Sequence, residues 1–198
     1  MNPAEIDNGI YDTDHVELWA RWLGNLDAKI MLVGKDFGGL GFLRQFNGCC
    51  DPDSKTNKNL ITLFSKLSVA IGTPSSPNAD AEVFLTNSIF GIIDTKVKGS
   101  NKIRTCQTQE NAIEFLRPLI DIIKPKIIIA MGGEAYKCVT CAFDIQKDKT
   151  LKSALSNSPY KLPGEMLLFP VFHCGGLGLA NRSLEKQVND WVRITDYI

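Results

Sequence analysis

An acid, a carboxamide and an imidazole each stand just past an apolar run in this chain. Asp36 lies in Gly34-Lys35-Asp36-Phe37-Gly38-Gly39 after Ile30-Met31-Leu32-Val33, and Asn87 ends Val83-Phe84-Leu85-Thr86-Asn87. His173 opens His173-Cys174-Gly175-Gly176-Leu177 after the apolar stretch 167–172. A carboxylate stabilises positive charge building on a sugar, and a carboxamide matches the donor and acceptor edge of a base. An imidazole hydrogen-bonds an oxygen on which negative charge develops. Together these are the polar groups needed to cut a base from a nucleotide. In an open α/β sheet, loops leaving the carboxyl ends of parallel strands converge on one crevice, so three distant segments can share a site.

Each residue also has a plainer reading when taken alone. Asp36 in a Gly-rich loop reads as a turn former, and Asn87 at a strand end as an Asx-turn or cap. His173 reads as a satisfied structural histidine, and Leu177 and Phe42 as core residues of their loops. The two glycine-rich stretches, 34–39 and 132–133, invite a phosphate-loop reading. Neither is Gly-x-Gly-x-x-Gly, and no Gly-Lys-Ser/Thr closes the first. It is the joint placement at three strand ends that favours chemistry.

The elements that must position these residues follow from pattern. Asp12-Thr13-Asp14 supplies N-cap chemistry for an amphipathic helix bearing Val16, Leu18, Trp19, Trp22, Leu23 and Leu26, which predicts a helical N-terminal extension over 1–28. Strands are predicted at 30–33, 83–87, 127–131 and 166–172, and helices at 57–70, 107–123, 134–143 and 183–196. The segment 73–80 reads as a surface loop, and 146–163 is left unassigned. Strands alternating with helices predict one three-layer α/β/α domain over 1–198, with a mainly parallel central sheet of about four strands.

Composition narrows the field. The 198 residues carry 22 basic and 22 acidic side chains, so overall charge is not what would draw this chain to nucleic acid, and any such contact needs a local patch. No apolar stretch approaches the ~20 residues of a membrane span, and the first residues lack a signal-peptide pattern, so a cytoplasmic protein with no membrane partner is expected. Six cysteines are spread through a chain able to build its own core, which predicts reduced thiols. Cys138 and Cys141 supply half of a zinc spacing, but no second pair completes it, so no metal is expected.

Placed in chain order, these segments resemble the uracil-DNA glycosylase superfamily. Its best-known branch has G-Q-D-P-Y after the first strand, an L-L-N strand end and H-P-S-P-L after the last strand. The matching residues here are Gly34-Lys35-Asp36-Phe37-Gly38, Leu85-Thr86-Asn87 and His173-Cys174-Gly175-Gly176-Leu177. Phe115-Leu116-Arg117-Pro118-Leu119, then Lys124-Pro125-Lys126 and the strand end Ala130-Met131-Gly132, are also similar to the superfamily's helix, K-P-K turn and following strand. The resemblance covers roughly 29–194.

The resemblance implies base excision from DNA containing a damaged base, by a monomer without cofactor. Asp36 and His173 would be catalytic, and Asn87 would read the base beside Gly34 and Gly38. Phe42 and Phe46 are candidates for the aromatic floor under a flipped base. Leu177 matches a leucine wedge that fills the gap left by the flipped nucleotide. Lys96, Lys98, Lys102, Arg104 and Arg182 are the candidate phosphate contacts.

The departures are specific. Phe37 replaces a rigidifying proline, Gly38 a tyrosine that excludes thymine, and Cys174-Gly175 a Pro-Ser pair whose serine contacts phosphate. The four-cysteine pattern of the iron-sulfur branch is absent, so no iron-sulfur cluster is expected. The motifs place no lysine for a Schiff base, so hydrolysis without strand cleavage is expected. Two alternatives stand beside this reading: a non-catalytic nucleic-acid or nucleotide-binding member of the same fold, and an enzyme acting on a free nucleoside.

Overall fold

Four apolar segments pair in parallel to make the body of one sheet. They are β1 (Ile30–Gly34), β4 (Val83–Asn87), β5 (Ile127–Met131) and β7 (Leu167–Val171). The computed structural model describes residues 24–36, 45, 51, 53–89 and 105–198. The sheet order is β4-β1-β5-β7-β6, where β6 (Tyr160–Lys161) runs antiparallel to β7 at the edge. A short hairpin of β2 (Gly72–Thr73) and β3 (Ser76–Pro77) stands apart.

Alternate residues of the central strands serve two different cores, which is why these runs are apolar without interruption. Ile30 and Leu32 of β1 and Ile127 and Ile129 of β5 face one layer with Leu60, Leu63, Phe64 and Trp191. Met31 and Val33 with Ile128 and Ala130 face the other, against Leu116, Ile120, Ala135 and Val139. The expected three-layer α/β/α architecture is therefore present. The sheet has five strands among the described residues, because β6 adds an antiparallel edge.

On the first face lie α1 (Lys55–Lys66) and α7 (Leu184–Val192), joined through an edge-to-face contact of Phe64 on Trp191 with centroids 5.2 Å apart. Such a contact adds about 1 kcal/mol beyond the burial itself. Ser54 caps α1 by accepting from Asn57 N at 3.1 Å, and Ser183 caps α7 in the same way. On the second face, α2 (Thr105–Asn111), a π-turn (Ala112–Leu116) and α3 (Arg117–Ile123) form one continuous helical path, with α4 (Gly133–Ala142) beside it. Pro118 has no N–H for the carbonyl of Glu114, and the chain widens so that Arg117 N bonds Ala112 O instead.

Several expectations need correction. Residues 24–28, expected to close a helix, are not helical: Gly24 bridges to Phe84, and Leu26 is 59% exposed in a turn. The earlier part of that expected helix lies outside the described residues. The loop expected at 73–80 is the β2–β3 hairpin; Gly72 (φ +75) needs its missing Cβ there, which would crowd Ser76 O and Asn78 N at 2.5 Å. The helix predicted over 57–70 stops at Lys66 because Ser68 turns left-handed (φ 60).

The unassigned segment 146–163 contains α5 (Leu151–Asn157), capped by Thr150, as well as β6. Asp148 organises it by accepting from Ser153 Oγ at 2.8 Å, Asn157 Nδ2 at 3.1 Å and the Tyr160 hydroxyl. The last helix ends at Val192 rather than 196 and is followed by a 3-10 turn, Thr195–Tyr197. Before it, α6 (Gly176–Asn181) occupies what was read as loop.

Candidate active site

The carboxyl ends of β1 and β4 are fastened together beyond the strands themselves. Gly34 is in register with Asn87, and Ser88 N donates to Gly34 O at 2.9 Å. Ile89 N and Ser88 Oγ then both donate to Lys35 O, at 3.0 and 2.9 Å. This ladder holds Asp36 and Asn87 at one edge of the sheet, on neighbouring strands.

It also rules out the plainer reading of Asn87. In an Asx-turn its Oδ1 would accept the N–H of Ile89, but that N–H is committed to Lys35 O. The Asn87 carboxamide instead lies against the bare Cα of Gly34, where any Cβ would overlap Oδ1. Among the described residues it has no hydrogen-bond partner, and it is half-buried. A half-covered carboxamide with unspent donors and acceptor is available to a ligand.

His173 follows β7 by two residues and is half-buried. Its Nδ1 accepts the N–H of Gly175 at 2.9 Å, so Nδ1 carries no proton and the ring hydrogen resides on Nε2. Burial holds its pKa below the ordinary 6.5; the charge of Asp36 works against this and that of Lys35 with it. The ring is thus neutral near pH 7 and presents an N–H donor. Both of those charges belong to the first loop and act on the third.

The His173 loop is held from two sides. Asn59 Nδ2 of α1 donates to Cys174 O at 2.6 Å, and Cys174 Sγ to Thr56 O at 3.5 Å. Burial pushes the Cys174 thiol up to about 12, so it is a packing group and not a nucleophile. From α7, Gln187 Nε2 donates to His173 O at 3.2 Å and to Arg182 O at 2.9 Å, bracketing α6 at both ends. Gly178 lets α6 pass directly over His173, since a Cβ there would strike the histidine carbonyl.

Leu177 projects from α6 with 87% of its surface exposed, so it is not a core residue of its loop. Arg182 is different from what was expected of a phosphate contact. Its Nη2 is 2.5 Å from Asp190 Oδ1, its Nε bonds Asp190 Oδ2, and its guanidinium lies 5.8 Å from the Phe172 ring centroid. These donors are spent inside the fold. Gly38, Phe42, Phe46, Lys96, Lys98, Lys102 and Arg104 lie outside the described residues.

Two residues that matter were not singled out from sequence. Lys35 places Nζ 3.1 Å from Asp36 Oδ2. Its only signal was a basic side chain in the position of the motif's glutamine. Gln187, 1% exposed, gave no signal at all, because only the fold brings it under His173.

Cys138 is fully buried and its thiol, pushed up to about 12 by burial, points to Ser88 O at 3.5 Å. Among the described residues no group of three or more His, Cys, Asp or Glu is arranged to hold a metal, and no helix is long and apolar enough to cross a membrane.

The sequence model of the uracil DNA glycosylase superfamily matches residues 22–193. Comparison with curated proteins gives no match.

Proposed function

This chain belongs to the uracil DNA glycosylase superfamily, and we propose that it hydrolyses the N-glycosidic bond of uracil or another deaminated or modified base in DNA. The observation that carries this reading is the fixed tautomer of His173, whose Nδ1 is occupied by Gly175 N–H so that Nε2–H is the donor. A base such as uracil departs as an anion with charge on its ring oxygens. A neutral N–H donor aimed at such an oxygen gains strength as that charge develops, which lowers the barrier more than it strengthens substrate binding.

Asp36 acts on the other side of the breaking bond. Its carboxylate stabilises the positive charge growing on the sugar and orients the attacking water. Because the leaving group is already a stabilised anion, one carboxylate suffices where O-glycoside hydrolysis uses two. The Asn87 carboxamide, without a hydrogen-bond partner among the described residues and seated on Gly34, offers both donor and acceptor to the imide edge of uracil and mismatches the amino edge of cytosine.

The partner in this reading is DNA carrying a damaged base, bound by a cytoplasmic monomer. The exposure of Leu177 supports a wedge that offsets part of the few kcal/mol, roughly, of unstacking a flipped base requires. Lys96, Lys98, Lys102 and Arg104 remain the proposed phosphate contacts.

A second reading, hydrolysis of a free nucleoside in the same pocket, is favoured by one observation: Arg182 is bound to Asp190 and so offers less to a DNA backbone. Base release from oligonucleotides bearing uracil, hypoxanthine, xanthine or mismatched thymine, run beside the corresponding free nucleosides, separates the two. Release from at least one oligonucleotide, abolished in Asp36→Asn, is expected. Release from nucleosides alone selects the second reading, and no release from either class overturns both.

A further inference from the structure

We propose that Lys35 gives this pocket a second activity: its amine forms an imine with the C1′ aldehyde of an abasic sugar and cleaves the strand by β-elimination. The inference rests on the reading above in one respect, that Asp36 lies at the anomeric carbon. Lys35 Nζ is 3.1 Å from Asp36 Oδ2, so an atom addressed by that carboxylate is also within reach of the amine, whose bond-forming approach needs about 3–3.5 Å. Motif spacing places no lysine for this step; the side-chain geometry does.

The position is built rather than incidental. Lys35 is launched from a backbone held by Ser88 Oγ and Ile89 N on its carbonyl, in direct continuation of β1. Its side chain is 33% exposed and that of Asp36 18%, which keeps the pair covered yet open to a sugar. The charge of Lys35 also acts on the His173 ring.

The chemistry closes with water as its only co-reactant. The Asp36 carboxylate takes one proton from the ammonium, and the freed lone pair forms the N–C1′ bond as the carbonyl π pair moves to oxygen. That oxygen takes one proton from the new C–N nitrogen and the one held on Asp36 and leaves as water, giving a protonated imine. The carboxylate then removes a C2′ proton. The electron pair of that C–H bond forms C1′=C2′ as the imine π pair moves to nitrogen; the nitrogen pair then re-forms the imine, the C1′=C2′ pair shifts to C2′=C3′, and the C3′–O3′ bond breaks to expel the 3′ phosphate. Water finally hydrolyses the imine, releasing an unsaturated aldehyde end and restoring Lys35. This is covalent catalysis by a lysine amine.

The test uses the full chain, an oligonucleotide with a preformed abasic site, and borohydride to reduce the imine to a stable amine. A covalent protein–DNA complex is expected, with the adduct mapped by peptide mass to Lys35. The complex should be lost in Lys35→Arg, which retains the charge beside Asp36, and kept in Lys29→Arg, at the amino end of β1 where the lysine pairs with Glu82. No complex from the parent protein, or an adduct mapped to another amine, overturns the proposal whether or not the variant folds. Base release from a uracil oligonucleotide is scored in the same preparation. Release without an adduct overturns the imine step alone, whereas an adduct at Lys35 without release upholds it and overturns the glycosylase reading.

Discussion

Gly34→Ala is the most informative single change, because the structure says what one added methyl would touch. The backbone of Gly34 is ordinary extended strand, so alanine introduces no conformational strain of its own. A Cβ there would overlap Asn87 Oδ1, while its next neighbour, Thr86 O at 3.5 Å, is in normal contact. Only the end of one flexible side chain must move, and restoring ordinary contact needs a shift of about 1 Å. A misplacement of that size at a recognition group costs roughly 10²-fold in rate, or about 2.7 kcal/mol of transition-state stabilisation. Stability should change by less than about 1 kcal/mol, since no core atom is displaced. Single-turnover base release beside a thermal melt measures both. The double variant with Asn87→Ala should be little worse than either single change, because both remove the same contact. If the two losses add, or if Gly34→Ala releases base at the parent rate, the carboxamide over Gly34 is not reading the substrate.

Other outcomes follow from the same geometry. Asp36→Asn should lower single-turnover release by about 10²- to 10³-fold while oligonucleotide affinity changes little, and equal losses in both would assign the carboxylate a structural role. Asn87→Asp should weaken uracil release and shift relative preference toward cytosine, whose amine can donate to a carboxylate; excision of both from identical single strands is the measurement. The pKa of His173 is held below 6.5, so release should be on a plateau above that value and fall as acid protonates the ring. The same group contributes stability that is present above pH 6.5 and lost as pH falls through the lower folded value, because the unfolded chain then binds the extra proton. Arg182→Ala leaves Asp190, 8% exposed, without its cation and should cost about 3 kcal/mol by denaturant titration, with the salt slope of DNA binding unchanged. A reduced slope would return Arg182 to the phosphate contacts.

Much of the scaffold was legible because its signals are local. The run 127–131 is apolar at every position, as only a strand covered on both faces can be, and it forms β5 without adjustment. Lys124-Pro125 ends a helix because Lys124 turns left-handed before a residue that cannot continue one. What failed were features decided by a partner far away in sequence. The β2–β3 hairpin was read as loop, and β6, too short to have a pattern of its own, exists because the edge of β7 is open to it. Residues 24–28 were read as the end of a helix, but Gly24 bridges to Phe84 instead.

The site divides along the same line. Sequence alone determined which groups stand at the carboxyl ends of strands, since that needs only the order of apolar runs and the residues that follow them. It could not say whether Asn87 was spent on its own turn, which tautomer His173 holds, or whether Arg182 was free. Each of those depends on a hydrogen bond between groups brought together by folding: Ile89 N to Lys35 O, Gly175 N to His173 Nδ1, and Arg182 to Asp190. Lys35 shows the same limit, because a lysine beside an aspartate in sequence can point anywhere. Residue type sets what a side chain can donate or accept, but only the tertiary structure decides which of those capacities remain unspent for a substrate.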